Sequence, residues 1–573
     1  RGSSTLPASA IEQLSVITGG LPARYGDATG GVINITTRGP SSTFSGGIEL
    51  VTSKFLEAYD YNLANFSLAG PIAKIGKDKS NRRTLLGFFV SGEYLHEKDD
   101  DPSAVGIWKV KDDVLADITA TPLVRSENNT GFTKVVDLLT AENFEKVKAK
   151  QNVTKDNISL AGKIDFQPVT NINFVLGGNL NIEKGGAVGR SAGYRDLMRR
   201  YEVYNWEHSP LVTANVYRGY ARFTQRFANP APPKEGETRK ASPLQNAYYS
   251  VQFDYTRSTS KQKDPIFGDN LFEYGYAGKF KSYGSPIFQQ QKVGNLQGWT
   301  MVGYADTLVT YEAGGVNPEK DAHNLNYFAL AGDDGASYYS NIFQILNNGG
   351  YINGDYAGAS LYSAYNLTYV PGTPWGSYGF SNNDQYRLTF NGSFDLKKAG
   401  SERNKHAIEF GFEYEQRIDR EFFLAPEQLW RLMFNNVGRY GNGIGLDLAN
   451  PILLIDGQQI PLAEYNGESG LLFSENDSII YNLTTTGQSY FDKQFRDKFG
   501  YSTLQFADVY SHSPDEYSLD MLSPDELSND GNNSSYTYAG YDYTGNSFAT
   551  QPDFQDYWTA FDAEKGIYTR PLG

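Results

Sequence analysis

The chain has 573 residues, a formal net charge of −15 and no cysteine, and 14% of its residues are aromatic against 39% hydrophobic in all. An acidic chain of this kind lacks the clustered Lys and Arg needed to displace counterions from nucleic acid. The missing thiols exclude disulfides and thiolate metal sites, and so many aromatics point to strands. No run of 18 apolar residues occurs, which excludes a transmembrane helix of ordinary length. It leaves open a β-barrel, whose strands need only about ten residues of alternating hydrophobicity.

The chain opens on Arg1-Gly2-Ser3-Ser4 with no initiating Met, as expected of a processed or truncated start. The next notable stretch, 19–40, reads "GGLPARYGDATGGVINITTRGP" and ends in the apolar strand Val32-Ile33-Asn34-Ile35-Thr36-Thr37. Its glycines precede a strand, with no Lys-Ser or Lys-Thr behind them. A phosphate cradle needs glycines that lead into a helix. Here they serve positive φ and close backbone approach.

Alternation at period two then recurs along the chain. It is visible at 44–54, 60–70, 84–95, 213–227, 247–257 and 299–311, and is clearest at 156–184, 385–397 and 408–418. In 156–184, Ile158, Leu160, Gly162, Ile164 and Phe166 take one face, and Ser159, Ala161, Lys163 and Asp165 the other. A turn at 168–171 leads into a second alternating arm, so the stretch reads as a hairpin. The polar face continues in Arg387, Asp395, Glu409, Glu413, Glu415 and Arg417. These read as wall residues facing water or a plug. The strands run about 11 to 14 residues, whereas soluble strands usually run about 5–6.

Connections alternate in length. Those at 72–83, 168–171 and 398–405 are short; those at 96–155, 184–212, 312–382 and 419–573 are long. Short turns on one side and long loops on the other are the habit of outer-membrane barrels. Within the loops, 132–150 predicts a helix from the spacing of Phe132, Val135, Val136 and Leu139, and 425–434 predicts another with Pro426 at its start. The 511–573 segment is polar enough for disorder, but Tyr536, Tyr538, Tyr541, Tyr543, Tyr557 and Trp558 favour a packed extracellular cap.

Several motifs carry no chemistry. "GRSAG" at 189–193 matches a nucleophile elbow around Ser191 but lacks the buried strand before it and the helix after it. None of His96, His208, His323, His406 and His512 falls in a zinc motif. Asp99-Asp100-Asp101, and Asp530 with Asn532 and Asn533, offer oxygen ligands to Ca²⁺ without the EF-hand spacing. A solvated loop face is their default reading. No catalytic residue and no cofactor is expected.

The stretch "IEQLSVITGGLPARYGDATGGVINITTRGP" (11–40) resembles the end of the plug domain of TonB-dependent outer-membrane transporters. The positions that carry the likeness are Gly19, Gly20, Pro22, Tyr25, Gly26, Gly30, Gly31 and Asn34. "FSGGIELVTS" at 44–53 fits the first barrel strand. The layout, with "YAGYDYTGNSF" and "GIYTRPLG" late in the chain, is most similar to the large Oar-like members from Bacteroidota.

The resemblance implies an all-β protein: residues 1–41 as the C-terminal part of a plug, and 42–573 as the first part of a transmembrane antiparallel barrel with long extracellular loops. Full family barrels have about 22 strands, so the chain reads as an internal portion of a longer protein. The upstream plug, the TonB box and the closing strands are implied and lie outside it. The implied activity is TonB-dependent uptake of a large or scarce nutrient, bound by extracellular loops and the plug apex. Its implied partners are a periplasmic TonB–ExbB–ExbD complex, outer-membrane lipid and possible surface lipoproteins. The alternative is a non-transporting barrel scaffold that docks partner proteins in a larger outer-membrane assembly.

Overall fold

The computed structural model describes residues 6–572 apart from 20–29, 77–81, 127–130, 187–202, 229–242, 333–340, 356–369, 398–404, 438–445, 468–476, 483–487, 504 and 529–535. β1 (Ile11–Ile17) and β2 (Val32–Thr37) form an antiparallel pair. β3 (Ser45–Thr52), β4 (Asn62–Ile75) and β5 (Arg83–Glu97) begin a wall, and the next connection holds β6 (Ile107–Val110), β7 (Leu123–Arg125), β8 (Phe132–Lys134) and β9 (Phe144–Val147). The wall continues with β10 (Lys155–Val169), β11 (Ile172–Gly186), β12 (Leu211–Arg226) and β13 (Leu244–Lys263). After the hairpin β14 (Lys279–Val293) and β15 (Leu296–Glu312) come β16 (Tyr378–Lys397) and β17 (Lys405–Leu424). The last segment holds β18 (Ile452–Ile455), β19 (Gln458–Pro461), β20 (Ser478–Ile480), β21 (Thr537–Ala539), β22 (Phe561–Asp562) and β23 (Ile567–Tyr568).

The wall is one antiparallel sheet in the order β21-β17-β16-β13-β12-β11-β10-β5-β4-β3. Its two faces differ as the alternation predicts. Ser159 and Ala161 are 2% and 7% exposed, whereas Ile158, Leu160, Ile164 and Phe166 between and beyond them are exposed. The exposed apolar face continues through Phe174, Leu176, Phe253, Leu388, Phe410 and Phe412, the last 61% exposed. Along its lower margin, rings touch from strand to strand across β10 to β17. Centroid distances are 6.1 Å for Phe166–Phe174, 4.9 Å for Phe174–Phe223, 5.9 Å for Phe223–Tyr249, 6.4 Å for Tyr249–Phe390 and 6.0 Å for Phe390–Phe410. Polar pairs mark the upper margin of the same face, His96 Nδ1 to Asp156 at 2.8 Å and Arg420 to Asp384 at 2.7 Å. An apolar belt with an aromatic girdle is the lipid-facing surface of an outer-membrane barrel.

The belt also reports strand tilt. It runs Ile158–Phe166 on β10 and Ile408–Tyr414 on β17, centred on residues 162 and 411. In register, Gly162 aligns through Gly178, Gly219, Tyr255 and Tyr386 with Gln416. The belt centre therefore drifts five residues, from 416 to 411, over five strand spacings. That is about 17 Å along against about 24 Å across, or a tilt of roughly 35°, within the range of membrane barrels.

Three expectations change. Residues 132–150 form no helix. Leu123–Arg125 pairs with Phe132–Lys134, Ile107–Val110 pairs with Phe144–Val147, and short 3-10 turns join them. Thr133, Val135 and Val136 are β-branched and lose side-chain freedom in a helix, and a strand partner was available. The helix of this connection is Asp112–Ala120. Second, 299–311 is a strand but not part of the wall: β15 lies in a separate sheet, β14-β15-β20-β18-β19. Period two reports one covered face and is silent about which sheet covers it. Third, the chain leaves the wall after Lys263 and returns at Tyr378, so the 312–382 loop is the second half of a longer excursion. The helix near Pro426 forms, as a 3-10 turn and then Leu429–Asn436.

The main core lies in these excursions, not in the wall. Trp430, Tyr276, Phe280, Phe491 and Tyr510 are fully buried there, joined by Tyr538, Tyr541 and Tyr543 of the late segment. The packed cap read from the late aromatics is present at Tyr538, Tyr541 and Tyr543, whereas Trp558, read as part of it, is 57% exposed. The cap grows from the strand tops: Tyr378, Phe422 and Leu424 are buried. They share sequence parity with the exposed belt residues of β16 and β17, whose pairing has no bulge. The same outward face is bare within the belt and covered above it.

Candidate functional site

The junction pair is built by sequence-local rules. β1 and β2 pair from Ile17↔Val32 to Ile11↔Thr37, with Asn34 opposite Ser15. Gly31 has φ +147° and a side chain there would meet the Ile17 carbonyl oxygen at 2.9 Å, so glycine is required for closure of the pair. Gly19 and Gly30 have open space around them. Gly20, Pro22, Tyr25 and Gly26 lie outside the described residues.

This segment rests on the polar face of the wall. Ala10 is completely buried with Ala69, Phe89 and Ala161. Ser9 Oγ donates to Ser91 Oγ at 3.1 Å, and the Ala8 amide donates to Glu93 at 3.3 Å. Tyr220 hydrogen-bonds Thr37. Pro40 fills the space that a side chain at Gly87 would need. The polar face is therefore the interior.

All eight charges read from the alternation belong to that interior face. Arg387 donates through Nε and Nη2 to Glu415 at 2.9 and 2.6 Å, and Arg417 donates to the other oxygen of Glu415 at 2.6 Å. Asp395 accepts from Asn246 at 2.6 Å, and Lys163 lies beside Gly39. Register adds Arg218, Tyr220, Arg222 and Asp254 to the same face, with Asp254 opposite both Tyr220 and Arg387. Their strands show the weaker alternation, so the signal was in the sequence but diluted by Gly219 and Ala221.

The loop-side cap holds a second cluster. Lys320, His323 and Glu427 are buried, with Lys134 Nζ 4.9 Å over the Tyr351 ring and His323 stacked on that ring at 4.1 Å. His323 Nε2 meets the Gly349 carbonyl at 2.7 Å. Burial holds His323 down at about 3 and pushes Glu427 up to about 7, partly offset by the Lys320 charge. Glu427 Oε2 has no hydrogen-bond partner among the described residues.

A neutral Glu427 thus adds stability that is complete below its ordinary 4.5 and is lost as pH rises through about 7. His323 works oppositely, losing its contribution as pH falls through about 3. Glu427→Gln is expected to stabilise the cap at pH 8 by on the order of 2–3 kcal/mol, with no gain at pH 4. Thermal unfolding followed at both pH values checks this.

A cleft of about 670 Å³ opens elsewhere in the cap, with Phe272, Tyr517 and Tyr543 on its walls and Glu273, Asp515 and Lys565 among its charged groups. Its size falls in the range of small-molecule sites. Of the two calcium readings, the one at Asp99-Asp100-Asp101 falls on described residues. Asp99 is buried against Lys150 Nζ at 2.8 Å and the Lys150 amide at 2.9 Å. Asp530, Asn532, Asn533 and Ser191 lie outside the described residues. Among the described residues no group of three His, Asp or Glu side chains is placed to hold a metal.

No family model matches the chain. A probable TonB-dependent siderophore receptor of Acinetobacter baumannii, PirA, is 33% identical over 105 residues, covering 18% of this chain and 13% of the relative. The iron-regulated outer membrane virulence protein of Vibrio cholerae is 41% identical over 70 residues, 12% of this chain and 11% of the relative. Each match thus spans less than a seventh of the relative's own length. The crystal structure of the siderophore receptor PiuA from Acinetobacter baumannii is 11% identical, and the likeness covers 73% of this chain and 52% of that one. Its TM-score of 0.23 adds nothing to the sequence matches.

A tilted antiparallel wall with a lipid-facing belt, and a strand pair seated on its polar face, is the architecture of an outer-membrane β-barrel protein. A stretch covering 18% of the chain is similar to a TonB-dependent receptor, the same family that residues 11–40 resemble.

Proposed function

We propose that the chain is the plug-proximal part of an active transporter that takes up a large or scarce nutrient. The observation that carries this reading is the junction: the β1–β2 pair sits on the polar interior face, held by Ser9, Ala8 and Thr37. A plug tail fixed to the wall gives a pull on the upstream plug something to work against. The pull would come from a TonB–ExbB–ExbD complex in the periplasm, and substrate would be bound by the loops and plug apex. Residues 1–41 are read as plug and the remainder as barrel and loops. The names of the relatives make a siderophore-type iron chelate the first substrate to test. Uptake by cells expressing the full-length receptor should fall to background when the energising complex is deleted. Uptake that continues unchanged would sink the reading.

A further inference from the structure

Residues 554–570 carry a connected aromatic surface that nothing in the chain covers among the described residues. Phe554 and Trp558 are 79% and 57% exposed, four residues apart on one helical turn, with rings 6.2 Å apart. The Arg570 guanidinium lies 5.8 Å over Trp558 and 4.9 Å over Tyr568, and Tyr568 meets Phe561 at 5.2 Å. Phe561 and Tyr568 are exposed as well. Four large exposed aromatics around one cation form a patch of the kind that marks an interaction surface. Of the nearby acids, Asp525 accepts from Arg570 Nε at 3.4 Å, while Asp553 accepts from the Gln555 and Asp556 amides and Asp562 from those of Glu564 and Lys565.

The place of this patch follows from parity along the strands. The Tyr538 hydroxyl donates to the Arg570 carbonyl at 2.7 Å, and Tyr541 bridges to Leu572. Tyr541 packs on Phe380 at 5.1 Å, and Tyr536 on Phe422 at 6.0 Å. Phe380 and Phe422 are opposite each other in register. They lie on the outward face, Phe422 eleven residues above the belt centre at 411 on β17. The segment that bears the patch is therefore hung on the face that becomes the lipid belt lower down.

We propose that the 554–570 patch rests on the outer leaflet of the membrane, with its aromatics in the headgroup layer and Arg570 on lipid phosphate. Trp and Tyr favour that layer because it accepts both their ring and their polar atom. A planar guanidinium suits phosphate. The continuity of the patch with the belt face commits it to lipid, in preference to a soluble partner. The contact would hold the cap down beside the barrel mouth.

The chain has no cysteine, so a single thiol reports cleanly. Phe554→Cys, carrying a small fluorophore, is placed in the full-length receptor in phosphatidylglycerol-containing vesicles, with Gln459→Cys as the exposed reference. Headgroup-spin-labelled lipid should quench the label at 554 and not at 459, and iodide should reach 554 roughly threefold less than 459. Trp558→Cys repeats the measurement if the first variant folds poorly. Equal iodide access at both sites overturns the proposal. Shielding from iodide without lipid quenching also overturns it, because another stretch of protein or a second copy then covers the patch.

Discussion

Replacing Asp264 with alanine is expected to release the 264–377 excursion from the wall while the wall itself stays intact. Asp264 is the first residue after β13 and is completely buried. Its Oδ1 accepts from the Ile266 amide at 2.8 Å and the Phe267 amide at 3.2 Å. Its Oδ2 accepts from the Trp375 amide and faces His208 Nδ1, each at 2.8 Å. One carboxylate thus ties three segments that are far apart in sequence: the turn before β12, the exit from β13 and the return to β16. Alanine leaves those donors buried without an acceptor, a loss of about 3–5 kcal/mol. Limited proteolysis should cut within 264–377 in the variant and not in the parent. Asp264→Asn, which keeps an acceptor oxygen, should show an intermediate loss. If the alanine variant resists proteolysis like the parent, the root of the excursion is held by something else.

The second large effect is expected on the belt. Phe412 is 61% exposed and lies next to the belt centre on β17. In water its replacement by arginine would be nearly free. Against hydrocarbon it should destabilise the full-length receptor by about 2–4 kcal/mol, as charges do at the midplane of outer-membrane barrels. Glu413→Arg, one residue away and on the interior face, is the control. There the neighbouring Arg387 and Arg417 make the change a matter of charge repulsion in a wet lumen, and a smaller loss is expected. Folding titrations into lipid vesicles compare the two. Equal losses would mean that the two faces do not see different solvents.

How much of this was legible beforehand differs by element. The hairpin 156–184 was fully readable, because both arms alternate without interruption, and its pairing from Ile158↔Ile182 to Phe166↔Phe174 follows from the turn. The interior charges were readable for the same reason. The 132–150 stretch misled because Phe132, Val135, Val136 and Leu139 fit a helical stripe, yet strands upstream of it, Leu123–Arg125 close by and Ile107–Val110 34 to 40 residues back, paired with it instead. Cross-strand partners are not a local property. The late tyrosines correctly announced a packed cap, but not where it hangs. Half of the Gly-rich junction lies outside the described residues, so its reading rests on Gly31 and the β1–β2 register.

By itself the sequence determined which side chains share a face. A strand turns its side chains over at every residue, so parity carries from Phe410 to Phe422 with no help from distant parts of the chain. It also determined the class of solvent that the belt requires, since no soluble sheet leaves so long an aromatic face uncovered. Only the tertiary structure decided what meets that face at each height. Phe412 and Phe422 belong to the same face of one strand, yet one is left for lipid and the other is buried under Tyr536 and its neighbours. The difference lies in long-range packing between segments over a hundred residues apart, and local alternation does not encode it.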